Sequence, residues 1–493
     1  MIETHLPILL VVIPLMAAPI CLLLRRRALA WTFALLVSWS TLVMAFALLM
    51  RVLEEGTLIY LLGNWAAPWG IEYRIDVLNG FVLLLVALIG AIVVLYAPTS
   101  VAKELPQVRH NLFYAAFLLC LTGLLGMTIT GDAFNVFVFL EISSLSTYAL
   151  ISLGQDRRAL TAAYQYLILG TIGATFFVIG IGLLYMMTGT LNMVDLATRL
   201  GPVSDTRTVI AAFAFLAVGL SLKLALFPLH LWLPNAYTFA PSVVTAFLAA
   251  TATKVSIYVF LRFAFSIFGA DFSFATMKLD TFLMPLALIG IFIASSVAIF
   301  QTNVKRLLAY SSVAQVGYIM LGISFVSTTG LSAGIVHLFN HALTKGALFL
   351  AMGCIALRLG SVELTAMRGL GRRMPLTMAA FVLGGLSLIG VPLTVGFISK
   401  WYLVLAILER GWWPLAFLVL LGSLLAVIYI WRVVEAAYFQ QPDEERAEIR
   451  EAPVWMQVPM WILIGASLYF GIFTSMTAGV AQRAAAALLG GTL

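Results

Sequence analysis

Fourteen apolar stretches of roughly twenty residues each, separated by short polar loops, decide what this chain can fold into. A hydrocarbon core about 30 Å thick is crossed by a helix of about that length, and lipid offers no partner to an unpaired backbone group. The stretches show no polar–apolar alternation, so they are predicted to be helices and not barrel strands. They cover about 6–24, 29–50, 77–97, 112–130, 133–153, 159–187, 208–232, 242–265, 280–301, 304–325, 331–357, 375–402, 412–438 and 454–478. Only 10% of the 493 residues are charged, against about a quarter in soluble domains, and mean hydropathy is +1.06. A soluble enzyme is excluded. The expected fold class is an all-α polytopic membrane protein.

The first stretch has no basic segment ahead of it and is followed by Arg25, Arg26 and Arg27, so it reads as a membrane helix and not a cleaved signal. Two longer polar pieces stand out. Residues 51–76, with LIYLLGNWAAPWGIEYRID, mix strand-favouring residues with a Gly-Asn/Pro-Trp-Gly turn region and predict a hairpin lying over the bundle. Residues 439–453 predict a charged surface loop. Cys21, Cys120 and Cys354 lie in separate spans with no Cys-x-x-Cys or His–Cys grouping, so neither a metal nor another cofactor is expected. The basic residues sit in short loops and form no patch, which argues against nucleic acid as a partner.

Those loop cations set an orientation. One side holds Arg25, Arg26, Arg27, Lys103, Arg109, Arg157, Arg158, Lys305, Arg306, Arg358, Arg368, Arg372, Arg373, Arg432, Arg446 and Arg450. The other holds Arg51, Arg74, Arg199, Arg207, Arg262, Lys278, Arg410 and Arg483, so the count is 16 against 8. The positive-inside rule then predicts both termini outside. The remaining four of the 28 basic residues, Lys223, Lys254, Lys345 and Lys400, fall within spans, and Glu141 joins them in the fifth.

An ionisable side chain at the bilayer centre costs at least about 2.5–3.5 kcal/mol, so such groups are rare and usually functional. The alternative is snorkelling to an interface, which suits Lys400 near a helix end better than Glu141 or Lys223. Glu141 has a short stem and needs a buried partner. Lys223 precedes Pro228 and Pro234 in LAVGLSLKLALFPLHLWLP, and a proline removes a backbone hydrogen bond and clashes with the preceding turn. Broken helices at membrane depth mark wet cavities and ion sites, although a simple kink would give the same prolines. LSLIGVPLTVGFISKW repeats the pattern, with Gly390, Pro392 and Gly396 ahead of Lys400. Two interrupted spans five apart predict an internal repeat of spans four to eight and nine to thirteen. The lysine precedes the break in one and follows it in the other, which suits inverted units.

His337, His341 and Lys345 recur at four-residue steps in VHLFNHALTKGALFL and share one helix face. Histidine titrates near neutrality, and low dielectric disfavours the charged form of any lysine, so such a row can pass protons on. Capping of neighbouring carbonyls is the bland alternative for the histidines. His230, beside the first break, is a weaker member of the set.

FVFLEISSLSTYALI, GLSLKLALFPLHLWLPNAY, APSVVTAFLAATATKVSIYVFLR, NVKRLLAYSSVAQVGY, HLFNHALTKGALF and GVPLTVGFISKW together resemble the antiporter-like proton-translocating subunits. That family is shared by respiratory complex I, membrane-bound hydrogenases and multisubunit Mrp sodium/proton antiporters. The resemblance covers nearly the whole chain. It implies fourteen transmembrane helices and two inverted five-helix repeats with broken helices 7 and 12. The organisation it gives is 1–111 with the extracytoplasmic hairpin, repeats at 112–265 and 280–438, and a last helix at 454–478. Glu141 and Lys223 match the family's functional pair, Lys254, His341 and Lys345 its connecting relay, and Lys400 its terminal proton site. Asn303, before Val-Lys-Arg, departs from the acidic residue that relatives often carry.

Within the family, a lysine at 400 argues against the fourth-type subunit of complex I. The absence of a long tail after the last span argues against the large Mrp A-type subunit and the fifth-type subunit of complex I. GNWAAPWGIEYRID looks like the D-type subunit of Mrp. The expected function is therefore proton movement within a multisubunit sodium/proton antiporter of a bacterial inner membrane, beside A-type and C-type subunits. The rival is the same module in a redox-driven complex. No nucleophile–base pair or metal set appears, so a transporter subunit and not an enzyme is expected, unless it serves as a translocase in a complex I-like assembly.

Overall fold

The computed structural model describes residues 2–24, 26–441 and 449–490, so the middle of the predicted 439–453 loop, Arg25 and Arg446 lie outside the described residues. The chain is helical almost throughout. In order come α1 (Ile2–Leu23), α2 (Arg27–Glu55), strands β1 (Leu58–Leu61) and β2 (Glu72–Ile75), α3 (Val77–Glu104), α4 (His110–Ile129), α5 (Ala133–Ser152), α6 (Arg157–Thr188), α7 (Met193–Leu200), α8 (Arg207–Lys223), α9 (Trp232–Phe239) and α10 (Ser242–Leu261). The second half holds α11 (Leu279–Ile299), α12 (Val304–Ser324), α13 (Thr328–Leu359), α14 (Leu370–Arg373), α15 (Pro375–Ile389), α16 (Val395–Glu409), α17 (Trp413–Phe439), α18 (Val454–Ile472) and α19 (Ser475–Leu488). Twelve of the described helices are long and apolar enough to cross a membrane.

The predicted hairpin forms, but later than its window opens: α2 runs through Glu55, and β1 pairs antiparallel with β2 from Leu58–Ile75 to Leu61–Glu72. Asp76 then caps α3, its carboxylate accepting from the Leu78 and Asn79 amides while the Asn79 side chain accepts from the Asp76 amide. The last apolar stretch, expected as one helix to 478, is split between α18 and α19 at Phe473 and Thr474. No proline stands at that interruption, and Gly471 lies inside the last turn of α18.

Two apolar paths are broken in mid-course. α8 stops at Lys223, and residues 224–231 run without regular helix before α9 begins at Trp232. Ala225 takes φ +60°, a left-handed conformation that costs a non-glycine residue about 1–2 kcal/mol. The Trp232 indole donates to the Leu222 carbonyl at 2.9 Å, which satisfies one of the groups the break frees, and its ring stacks on Tyr166 at 4.0 Å. Pro228 lies in the break. Pro234 lies past it, in the first turn of α9, where its missing N–H has no helical partner to lose. The second break spans 390–394 between α15 and α16, with Gly390 at φ +92° and Leu393 at φ +73°, and contains Pro392.

α13 is the axis of the second half. Every residue from Gly330 to Ile355 is buried, against α3, α10, α12, α15, α16, α18 and α19. Between helices in lipid, van der Waals packing and close backbone approach replace the hydrophobic drive. The tightest approach is at the second break, where a Cβ on Gly396 would lie 1.8 Å from the Ser387 carbonyl oxygen. Gly396→Ala is therefore expected to force the two half-helices apart, at a cost of at least about 1–3 kcal/mol. Quantifying the protein in purified membranes checks this: a clear drop against the wild-type amount is expected.

Candidate functional site

Of the titratable side chains singled out by the sequence, all but His230 lie on α5, α8, α10, α13 and α16, and those on α8, α10, α13 and α16 are buried. Lys223 ends α8, 5% exposed, and its ammonium donates to Ser144 Oγ on α5 at 2.8 Å. Glu141 sits one turn before Ser144. Its carboxylate makes no ion pair with Lys223 within 4.0 Å, and its Oε1 is buried with no hydrogen-bond partner among the described residues. Glu141 shares a helix face with Phe134, Val138 and Leu145, which remain 43%, 39% and 56% exposed. That face of α5 is left uncovered by the other described residues.

In the middle of the bundle Lys254 and Lys345 are fully buried. Lys254 Nζ donates to the Ala249 carbonyl one turn back on α10. Lys345 Nζ donates to the Leu308 carbonyl at 2.8 Å and to Ser311 Oγ, both on α12. One turn along α13, both ring nitrogens of His341 are buried without a partner among the described residues. A further turn on, His337 stacks on His341 at 6.1 Å and bridges Gln315 Oε1 at 2.9 Å and Ser399 Oγ at 2.7 Å. Ser399 immediately precedes Lys400. The Lys400 ammonium donates to the Leu388 and Ile389 carbonyls and to Ser423 Oγ, each at 2.9 Å, and lies 4.8 Å from the centre of the Tyr318 ring. It therefore caps the broken end of α15, where free carbonyls and the helix dipole favour a cation. Lys400 does not snorkel; the break gives it acceptors in place.

His230 lies apart from this row, in the first break, stacked on Phe227 at 5.3 Å with Nδ1 unpartnered. Sequence reasoning missed Ser144, Ser311, Gln315, Ser399 and Ser423 as partners, because hydroxyls and amides are common in such spans. It also counted Lys305 as a loop cation. Lys305 is 5% exposed, and its ammonium donates to the Ala240 carbonyl at the end of α9 at 2.8 Å.

Chemically, the amines of Lys223, Lys254, Lys345 and Lys400 and the imidazoles of His337 and His341 face carbonyls, hydroxyls and an amide oxygen or each other, with no carboxylate in contact among the described residues. Such groups can each give up and regain a proton. Because His341 makes no hydrogen bond, His341→Leu removes a titratable group at little structural cost. It is expected to slow proton movement about 100-fold, the low end of what a positioned proton carrier contributes, with the complex still assembled. Dye-monitored transport normalised to protein content checks this.

A cavity of about 960 Å³ opens away from this row, where β2, α7, the far end of α10 and α19 meet. Its wall holds the Asp76–Arg262 ion pair at 2.5 Å. Burial pushes the Asp76 carboxyl up, but the guanidinium and the capped amides outweigh it and hold the group below its ordinary value.

Residues 130–426 match the family model described as NADH:quinone oxidoreductase/Mrp antiporter, TM. The chain is 43% identical to the N-type subunit of a NADH-quinone oxidoreductase of Desulforudis audaxviator, over 95% of this chain and 96% of that one. It is 30% identical to the D-type subunit of a Na(+)/H(+) antiporter of Bacillus subtilis, over 98% of this chain and 97% of the other. Among solved structures, a chain of the Mrp complex from Dietzia superposes with a TM-score of 0.91 at 25% identity, covering 99% of this chain and 98% of that one. A chain of an archaeal membrane-bound sulfane sulfur reductase superposes with a TM-score of 0.90 at 31% identity, covering 98% of both.

Proposed function

Because the chain belongs to the NADH:quinone oxidoreductase/Mrp antiporter membrane family, we propose that it is the D-type, proton-translocating subunit of a multisubunit sodium/proton antiporter. The observation that carries the reading is the row Lys254, Lys345, His341, His337 and Lys400, buried through the bundle with no carboxylate in contact among the described residues. Charges are not kept in lipid at this cost for structure alone, since an apolar helix packs as well without them. Protons pass along Lys223, Lys254, Lys345, His341 and His337 to Lys400, and a closing of Glu141 onto Lys223 drives each step.

The chain then crosses the membrane fourteen times, twelve helices singly and the α8–α9 and α15–α16 pairs once each, a reading supported by the twelve helices long and apolar enough to cross. Residues 112–265 and 280–438 are then two inverted five-helix units between the N-terminal segment 1–111 and a last helix starting at 454. With the 16-to-8 excess of Lys and Arg taken as cytoplasmic, both termini lie outside the inner membrane of a bacterium. The uncovered α5 face with Glu141 is where a neighbouring subunit sits, an A-type or C-type partner supplying the missing charge.

A second reading, the same proton module in a redox-driven complex, is favoured by the 43% identity to the N-type oxidoreductase subunit. One experiment separates them. In everted vesicles from antiporter-deficient cells expressing the full gene neighbourhood, an acid-interior gradient is built and sodium is added. Sodium-dependent collapse of the gradient supports the antiporter; no response from an assembled complex moves the assignment to the redox-driven one.

A further inference from the structure

Lys305 is a further buried cation, set apart from the row of lysines and imidazoles at the Lys/Arg-rich end of the bundle. It is the second residue of α12, at the end of the bundle that also carries Arg306 and Arg158. Its ammonium has three donors, and among the described residues only the Ala240 carbonyl accepts from it. Across the same turn, the Glu104 carboxylate accepts from the Ser242 amide at 2.7 Å and from Ser100 Oγ at 2.6 Å. A cation and a carboxylate thus hold the two sides of the α9–α10 junction, each with capacity left for water.

α12 leads inward from there. Leu308 lies three residues on, about 4.5 Å along the axis. Its carbonyl accepts from Lys345 Nζ at 2.8 Å, from Ser311 Oγ at 2.9 Å and from Ser312 Oγ at 3.0 Å. Ser312 is seven residues from Lys305, on the same helix face, and is buried. Lys305, Ser312 and the acceptors of Lys345 therefore form a polar ladder of two turns between the aqueous end of α12 and the central lysine.

We propose that Lys305 is the proton-access residue of the relay on the Lys/Arg-rich face, a step that rests on the relay reading above. In the step an N–H bond of the Lys305 ammonium breaks as an N–H bond forms on the neutral Lys345 amine, by way of Ser312 or a water. Lys305 then regains a proton from the aqueous phase. One proton moves, and no electrons do.

Arginine separates this role from a purely mechanical one. It keeps the charge and the donors needed to hold the Ala240 carbonyl, but it does not release its proton. In vesicles holding the complete complex, Lys305→Arg is expected to slow transport at least about tenfold, as is Lys305→Met, with the complex assembled. Wild-type transport by Lys305→Arg would overturn the proposal and leave Lys305 as a clamp on α9. Lys223→Ala in the same vesicles tells the two readings apart: if it too transports normally, the relay itself fails. Should the arginine variant not assemble, Lys305→Cys treated with bromoethylamine decides, since the product restores a titratable amine. Recovery of transport supports the proposal. A consumed thiol without recovery, or a thiol that never reacts and so has no water beside it, overturns it.

Discussion

Lys223→Ala is expected to leave the assembled complex at wild-type amounts and to cut proton movement at least about 100-fold. Three observations set that size. Lys223 is the last residue before a helix break, and non-helical backbone at membrane depth is tolerated only where it is buried in protein or lines a water-filled cavity. Among the described residues its one side-chain partner is a neutral hydroxyl, Ser144, at 2.8 Å, and no counter-ion is in contact. The break, for its part, is secured by other groups: the Trp232 indole on the Leu222 carbonyl and the Trp232–Tyr166 stack. Alanine therefore removes a buried charge without removing what holds the fold, and no partner charge is stranded in direct contact. The measurement is sodium-driven or substrate-driven dye quenching in vesicles, beside blue-native gels for assembly. Normal transport from an assembled Lys223→Ala complex would sink the relay; loss of the complex would show Lys223 to be structural.

The breaks and the row of His337, His341 and Lys345 were legible in the sequence because their causes are local. Proline and glycine act on their own turn, and four-residue spacing fixes a helix face whatever packs against it. What sequence could not give is partnership. Lys223 meets Ser144 across 79 residues, Lys345 meets Leu308 across 37, and His337 meets Gln315 across 22. None of these acceptors belongs to a residue type that stands out in an apolar span. Lys305 shows the same limit from the other side. Beside Arg306 at the start of a span it reads as one of two loop cations, yet neighbours on a helix lie about 100° apart, and the fold turns Lys305 inward while Arg306 stays half-buried. The reading of Pro234 as part of the break failed for a related reason: a proline is equally at home in the first turn of the next helix.

Glu141→Gln is the other change expected to stop transport, again at least about 100-fold, and it tests the partner as well as the relay. Glutamine keeps the shape and the acceptor oxygen but loses the charge. Glu141 lies on the α5 face with Phe134, Val138 and Leu145, all left exposed by this chain, and its Oε1 is buried without a partner. A carboxylate so placed faces inward to Lys223 and outward to whatever covers α5. If it opens and closes on Lys223 in response to a neighbouring charge, neutralising it uncouples the chain from its neighbour while the apolar contacts of that face still hold the complex together. Expression of the chain alone should then show little transport even with Glu141 intact, because the outward charge is absent. The outcome that would remove Glu141 from the mechanism is a Glu141→Gln complex that assembles and transports at the wild-type rate. Failure to assemble would instead assign Glu141 to the docking of its neighbour, as an interfacial charge whose partner is then left buried and unpaired.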